Sequence, residues 1–312
     1  MDALSEVLSM LRVRSGVSDR FEGCGEWAFS FPAYQHLKFG TVLRGRLYLR
    51  MTGQDRLHVI EQGDFYLLTN GQPFCSASVP DCPPLDGPAT YQSIRGADGV
   101  VRFRGKGATG PVELASGRFV FDNDVTGLLL QHLPPIVHLK AADVSSHALS
   151  HVLALLGAET AFAKPGSDVA RTSLATLVLV QALRAFIERG DVPDGWLKAL
   201  SDNKVGAALT LMHGSPQQRW TVESLAANVG MSRTAFASRF RQLVGSAPLD
   251  YLHQWRMTIA MSALKQSEEP LLQIAEKIGY LSDTAFSIAF KRTTGVSPGR
   301  YRIRHRQEAE VR

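Results

Sequence analysis

Cysteine and long apolar runs are scarce in this chain of 312 residues. Its three cysteines, Cys24, Cys75 and Cys82, are an odd number in a large chain, which argues against a disulfide scaffold and for a reducing cytoplasm. No unbroken apolar run reaches the ~18 residues of a membrane helix, so we expect no contact with a membrane. The first residues include Asp2 and Glu6 and lack a basic segment, so they do not have the form of a secretory signal.

The sequence also lacks the common signatures of catalysis. It contains no Ser-His-Asp pattern and no Gly-rich phosphate loop. His147 and His151 are four residues apart in a segment with helical spacing and could share a zinc ion. An exposed or dimer-facing helix surface explains the two histidines as well. We therefore predict no catalytic residue, no metal and no cofactor.

Positive charge is concentrated in the last third of the chain. From Trp220 to the end there are 13 Lys+Arg and 8 Asp+Glu, which accounts for the whole net charge of +5. An excess of this kind is typical of a module that meets a polyanion, although an ordinary basic surface would have the same composition.

The region from about Arg20 to Phe121 has the pattern of short strands. The segment FGTVLRGRLYLRM predicts strand, turn, strand, and His58–Ile60 and Phe65–Leu68 predict two further strands. Asn70-Gly71 is a strong signal for a tight turn, and the proline-rich stretch VPDCPPLDGP predicts a loop. Strands at this spacing indicate a small barrel or sandwich.

After Leu139 the pattern becomes helical. AADVSSHALSHVLALLGAE and DVARTSLATLVLVQALRAFIERG have apolar residues at helical spacing, and the second is expected to end at Gly190. A helix as apolar as the second lies either in a core or against a partner. We expect residues 141–200 to pair subunits.

The last third contains an internal repeat. Thr234-Ala235-Phe236 recurs 50 positions later as Thr284-Ala285-Phe286. The same offset of 50 repeats four more residues, Phe240, Gly245, Pro248 and Tyr251. Each copy predicts a short helix, a turn at Gly230 or Gly279, and a second helix whose two phenylalanines face the core. The second copy has one extra residue in its turn. This is the helix-turn-helix pattern, in which the second helix enters a major groove of DNA.

The predicted DNA-binding residues are those that the phenylalanines leave on the outward face. They are Arg233, Thr234, Ala237, Ser238 and Arg241 in the first copy, and Asp283, Thr284, Ser287, Ile288, Lys291 and Arg292 in the second. The alternative for each set is a plain solvated surface. The segment from Pro248 to about Glu269 predicts a linker helix that would hold both reading helices on successive major grooves.

On these repeats the chain resembles the AraC/XylS family of bacterial transcription regulators. The resemblance covers about 202–306 and is strongest at GMSRTAFASRF and AFKRTTGVSPGRYR. It implies a single DNA-binding domain whose base contacts come from Thr234, Ala237 and Ser238 in one helix and from Thr284, Ser287 and Ile288 in the other. Relatives often carry a basic residue where this chain has Ile288.

The first part of the chain resembles the cupin-type sensor region of a subset of these regulators, on DALSEVLSMLR, EQGDFYLLTNGQPF and LPPIVHL. This implies a small-molecule or chemical signal and a homodimer. Cupin enzymes hold a metal with closely spaced histidines, but His36 and His58 form no His-x-His pair, and Phe74 stands where many cupins have a histidine.

The sequence thus predicts an α+β protein with a cupin-like β-barrel (1–140), a helical dimerisation and coupling segment (141–200) and an all-α domain with two helix-turn-helix units (202–306). The expected partners are double-stranded DNA, RNA polymerase, a small-molecule effector and a second copy of the chain. Two alternatives stay open. Oxidation of Cys24 or Cys82 could carry the signal, or the chain could be a cupin enzyme with a helical docking tail.

Overall fold

The computed structural model describes residues 2–10, 13–121, 133–143, 147–161, 164–190 and 192–310. They fall into two compact units. The first, here called the β unit, contains the described residues of 13–121 and 133–190. The second, the helical unit, contains the described residues 2–10 and 192–310.

The β unit consists of two sheets and three helices. The strands are β1 (Val13–Cys24), β2 (Ala28–Phe31), β3 (Leu37–Arg44), β4 (Arg46–Met51), β5 (Leu57–Glu61), β6 (Phe65–Leu68), β7 (Phe74–Ala77), β8 (Leu85–Asp86), β9 (Val101–Arg104), β10 (Val112–Phe121) and β11 (Ile136–Leu139). The six-stranded sheet has the order β11-β6-β3-β10-β1-β9, and the five-stranded sheet has the order β5-β4-β7-β2-β8. A shared apolar core that includes Phe21, Trp27, Phe29 and Leu47 joins the two sheets.

Three predicted turns carry the chain from one sheet to the other. Gly45 lies between β3 and β4, Gly63 between β5 and β6, and Gly71 between β6 and β7, and all three have a left-handed backbone. In each case the flanking strands belong to different sheets. The turns are therefore where the sequence predicts them, but Asn70-Gly71 does not close a hairpin. The paired hairpin is β4–β5, in which Tyr48 faces Val59.

The sequence predicts a loop throughout the proline-rich stretch VPDCPPLDGP, but part of this stretch is a strand and part begins a helix. It includes the edge strand β8 and leads into the helix α2 (Gly87–Ile94), which the sequence analysis missed. Asp86 caps this helix by accepting a hydrogen bond of 2.8 Å from the Ala89 amide, and proline stands in its first turn, where no backbone donor is needed.

Two longer helices complete the β unit, α3 (His147–Ala161) and α4 (Ser167–Arg189). The left-handed Gly190 ends α4 as predicted. Among the described residues, α4 is the one helix long and apolar enough to cross a membrane by length and composition alone. One face of α4, which includes Val178, Leu179 and Phe186, is buried in the β unit, where the helix contacts α3 and β1. A core position explains much of its apolar character.

The helical unit contains α1 (Ala3–Met10), α5 (Trp196–Ala199), α6 (Asn203–Gly214), α7 (Val222–Asn228), α8 (Arg233–Val244), α9 (Pro248–Gln266), α10 (Leu271–Lys277), α11 (Asp283–Thr294) and α12 (Pro298–Glu310). Helix α1 packs against α6, and Ala3 and Val7 are buried there. Helix α5 packs against α8, with Trp196 fully buried. The linker helix α9 ends at Gln266, a turn before Pro270.

Candidate nucleic-acid interface

The two repeats of the helical unit build two matching helix-turn-helix units. The first consists of α7 and α8, and the second of α10 and α11. In each, a serine before the second helix accepts a hydrogen bond from an amide three residues on. Ser232 accepts from Ala235 at 3.3 Å, and Ser282 accepts from Ala285 at 3.1 Å. These caps satisfy amides that the first turn of a helix leaves without a partner.

The turns also follow the sequence analysis. Gly230 and Gly279 have φ angles of +64° and +84°, a left-handed backbone that favours glycine. Four residues separate α7 from α8 and five separate α10 from α11, so the second turn has the predicted extra residue. At Gly279 a side chain would also collide with the Gln217 carbonyl oxygen, 2.7 Å from the position of a Cβ.

Two pairs of phenylalanines hold the second helices in place and set their outward faces. Phe236 and Phe240 of α8, and Phe286 and Phe290 of α11, are fully buried, with ring centroids 5.6 Å apart in each pair. Because the buried pair is four residues apart, one face of each helix points to the core and the opposite face is left to solvent.

The predicted residues of α8 lie mainly on its exposed side. Thr234, Ser238 and Arg241 are exposed, and Ala237 is half-buried. Arg233 is exposed too, but its guanidinium forms an ion pair with Glu223 of α7. Glu223 lies in the first turn of α7. The contact ties the start of α8 to α7.

A second arginine of α8 has a structural role. The guanidinium of Arg239 donates two hydrogen bonds, of 2.8 and 2.5 Å, to the Asp202 carboxylate at the start of α6. Burial raises the pKa of Asp202, but the hydrogen bonds from Arg239 and from two backbone amides outweigh it and lower that pKa overall.

Five of the six predicted residues of α11, all but Arg292, line a shallow depression on the protein surface. Its lining comprises Asp283, Thr284, Ser287, Ile288, Lys291 and Ser297. Ile288 is 68% exposed although it is apolar, and Ser287 is half-buried. Lys291 and Arg292 are exposed at the end of the helix. The structure thus brings the predicted residues of the second copy to one surface.

The linker helix α9 contacts the segment that precedes α7 and the second repeat. The Arg256 guanidinium donates hydrogen bonds of 2.8 Å to the carbonyl oxygens of Pro216 and Gln218, and burial lowers its pKa. The His253 ring contacts the Tyr280 hydroxyl at 3.2 Å and the Thr293 hydroxyl at 3.0 Å. These polar contacts and the buried Trp255 fix α9 against its neighbours.

In the β unit the remaining predicted residues lie apart from one another. Cys24 is exposed at the end of β1, whereas Cys75 and Cys82 line the same cavity. Burial raises the pKa of the Cys75 thiol. His147 and His151 are both exposed on α3, and the His151 ring donates to the His147 carbonyl at 2.8 Å. Within the described residues, no group of three histidine, cysteine or acidic side chains is placed to hold a metal ion.

Comparison with known proteins adds two family models and several relatives. A cupin model matches residues 2–188, and a helix-turn-helix domain model matches residues 225–304. A protein of Streptomyces antibioticus with the provisional name AraC-like transcription regulator is 38% identical over 97% of this chain and 98% of its own length. The chain belongs to the AraC family of transcription regulators.

The chain is also similar to a second regulator and to one solved DNA-binding domain. The HTH-type transcriptional regulator AlkR of Acinetobacter baylyi is 32% identical over 97% of this chain and 99% of its own length. The solved DNA-binding domain of AdpA in complex with a target DNA is 34% identical to this chain. The match covers 34% of this chain and 96% of that domain, with a TM-score of 0.33. This AraC-family chain is a DNA-binding transcription regulator with a cupin-type ligand-sensing domain.

Proposed function

We propose that this regulator binds promoter DNA as a homodimer through α8 and α11, and that a small molecule in its β unit changes this binding. The observation that carries the proposal is the pair of capped helices with opposite buried and exposed faces. Their predicted DNA-binding residues are Arg233, Thr234, Ala237, Ser238, Arg241, Asp283, Thr284, Ser287, Ile288, Lys291 and Arg292. The target DNA and RNA polymerase are in the cytoplasm, where the protein would act.

The two helices are expected to contribute unequally. In α8, arginine and serine can donate to base edges, and each good base contact is worth ~1–3 kcal/mol of discrimination. In α11, Asp283 repels phosphate unless it accepts from a cytosine amine, and Ile288 can at most touch a thymine methyl group. We therefore assign base discrimination mainly to α8 and positioning on the phosphates mainly to Lys291 and Arg292.

The test compares four variants of the full chain on one genomic site at fixed salt. Arg233→Ala and Ser238→Ala should lower the preference for that site over random DNA more than Thr284→Ala and Ile288→Ala do. Arg50→Ala in β4 is the control for loss of an arginine charge away from the interface. Larger losses of preference from the α11 variants would overturn the assignment. Wild-type protein that binds its site no better than random DNA at any salt would overturn the proposed function.

Phosphate contacts have a separate signature in the same assay. Each phosphate contact releases counterions, so affinity falls steeply as salt rises. Lys291→Ala should weaken binding to all sequences alike and reduce the salt slope by about 1. An unchanged slope would remove Lys291 from the interface.

Subunit pairing rests on the exposed apolar residues of α3 and α4. Leu155 is 59% exposed, Val169 is 73% exposed and Leu177 is 40% exposed. Apolar side chains grouped on a surface are typical of interfaces. We propose that these helices, in residues 141–190, contact a second copy of the chain. We also propose that the β unit binds its small-molecule ligand and does not catalyse a reaction of it.

Cysteine oxidation is a second candidate for the signal. One observation favours it, which is that Cys75 and Cys82 line the same cavity. Cys24, the other residue of the sequence-based hypothesis, lies outside that cavity's lining.

A further inference from the structure

A cavity of about 370 Å³ opens between the two sheets of the β unit. Its walls are largely aromatic, with Phe21, Phe31, Phe74, Tyr66 and Tyr91 contributed by strands of both sheets and by α2. The volume is near the lower end of the range that binds small molecules, ~300–1,000 Å³. Flat apolar walls of this kind favour a ligand with a planar apolar body.

The charged residues that line this cavity are all basic. They are Lys38, Arg95 and Arg118, and the lining contains no aspartate or glutamate. Arg95 and Arg118 are exposed and Lys38 is half-buried, so the cations extend from the mouth inward. Charges next to a protein wall are screened less than charges in bulk water. The cavity therefore presents a positive potential to anything that enters it.

The surroundings of His36 and Lys38 show which charges the cavity contains and how one of them is held. His36 also lines the cavity, and burial, followed by the charges of Lys38 and Arg118, lowers its pKa to about 4. His36 is thus neutral at pH 7 and leaves the three cations as the charged groups. The Lys38 ammonium lies 4.8–5.1 Å from the ring centres of Phe31, Tyr34 and Phe74, which hold it by cation–π contacts.

We propose that this cavity binds a small organic carboxylate with a planar apolar body, and that this ligand is the signal of the regulator. The claim that this ligand is a signal rests on the proposed function, whereas the ligand class rests on the cavity alone. The carboxylate would meet Lys38 and Arg118, and the body would stack on the aromatic walls.

The test is calorimetric titration of the full-length protein with four probes of similar size. Phenylacetate carries the charge and the ring, phenylacetamide lacks the charge, phenethylammonium reverses it, and octanoate replaces the ring with an alkyl chain. We expect phenylacetate to bind roughly tenfold or more tightly than each of the others. The amide and the ammonium lack the carboxylate, whose hydrogen bonds to cations are stronger than neutral ones. Octanoate keeps the carboxylate but lacks the ring that would stack on the aromatic walls. Equal binding of the amide, or tighter binding of the ammonium, would overturn the charge assignment. Equal binding of octanoate would overturn the planar body.

Matched variants locate the binding site. Arg118→Gln and Lys38→Met should each reduce the preference for phenylacetate over phenylacetamide by roughly tenfold. Arg50→Gln removes an arginine that lines the cavity shared by Cys75 and Cys82, and it should leave the preference unchanged. Circular dichroism and the affinity for phenylacetamide report whether a variant is folded. A folded variant of Lys38 and of Arg118 that keeps the full preference would overturn the site.

DNA binding in the same samples separates the two proposals. If phenylacetate changes the affinity of the wild-type protein for its genomic site and Arg118→Gln loses that response, the ligand is a signal. If no probe binds at millimolar concentration to protein that still recognises its genomic site, the cavity proposal is wrong and the proposed function stands. If phenylacetate binds in the cavity of a protein that recognises no genomic site, the proposed function is wrong and the ligand class stands.

Discussion

The stability of the helical unit should depend on pH through one buried histidine, His213 in α6. Its side chain is 3% exposed and stacks on Trp255, with ring centroids 3.9 Å apart. Nδ1 lies 3.3 Å from the Ala3 carbonyl oxygen, which can only accept, and Nε2 lies 2.8 Å from the Tyr251 hydroxyl. The neutral ring with its proton on Nδ1 satisfies both contacts. A protonated ring would place a second donor against the Tyr251 hydroxyl.

Burial lowers the pKa of His213 from 6.5 to about 4. Between these values the unfolded chain binds the proton and the folded chain does not, so protons favour unfolding. The stability that this group contributes is complete above pH 6.5 and is lost as the pH falls toward 4. At pH 5.0 the loss relative to pH 7.5 is about 2 kcal/mol, from 1.36 kcal/mol for each unit of pKa difference.

The measurement is urea unfolding at pH 7.5 and pH 5.0, followed by tryptophan fluorescence. A Trp27→Phe background removes the one tryptophan of the β unit, so that Trp196, Trp220 and Trp255 report on the helical unit. His213→Gln should unfold more easily at pH 7.5, by roughly 1–3 kcal/mol, because buried partners lose their contacts. It should lose about 2 kcal/mol less than the parent on going to pH 5.0.

The control is His147→Gln, which removes an exposed histidine of α3 and leaves the helical unit unchanged. The reasoning would be refuted if the His213→Gln protein and its parent lost the same stability between the two pH values. It would also be refuted if His147→Gln reduced the loss in the helical unit as much as His213→Gln does.

Three further predictions concern charge, pairing and oxidation. Glu223→Gln should raise affinity for DNA by roughly two- to fivefold at low salt, because it removes an anion and frees Arg233. The same change at the exposed Glu276 should have a smaller effect, and an equal effect would mean that only net charge matters. Leu177→Glu should weaken dimerisation roughly tenfold or more in sedimentation experiments, whereas Val120→Glu on β10 should not. A monomeric wild-type protein at micromolar concentration would contradict this. If cysteine oxidation controls DNA binding, a variant with all three cysteines replaced by serine should bind DNA equally well with and without oxidant. A variant that responds to oxidant as the wild-type protein does would remove that hypothesis.

Much of the helical unit is readable from the sequence because its signals are local. Ser232 precedes a helix that it caps three residues away, and Gly230 has the backbone that its turn requires. Phe236 and Phe240 face the core together because 3.6 residues make one turn of a helix. The outward face that contains Thr234 and Ser238 follows from the same geometry. Each of these inferences needs only residues within about one turn of one another.

Strand positions in the β unit are also readable, but their pairing is not. The left-handed Gly45 and Gly63 mark turns in the sequence, and a turn between two strands predicts a hairpin. The structure instead sends the strands on either side into different sheets. Which strand pairs with which depends on burial of apolar faces against residues far along the chain, such as the contact of β1 with β10. No local pattern contains that information.

The functional surfaces divide in the same way. The sequence alone determined that two helix-turn-helix units exist and which residues of their second helices face outward. A repeat is visible along the chain, and helical periodicity is a property of neighbouring residues. Only the tertiary structure decided that Arg233 pairs with Glu223 and that Arg239 is held by Asp202. It also decided that Lys38 and Arg118, which are 80 positions apart, line one aromatic cavity. Charges act through space, and the distances between them are known only once the chain has folded.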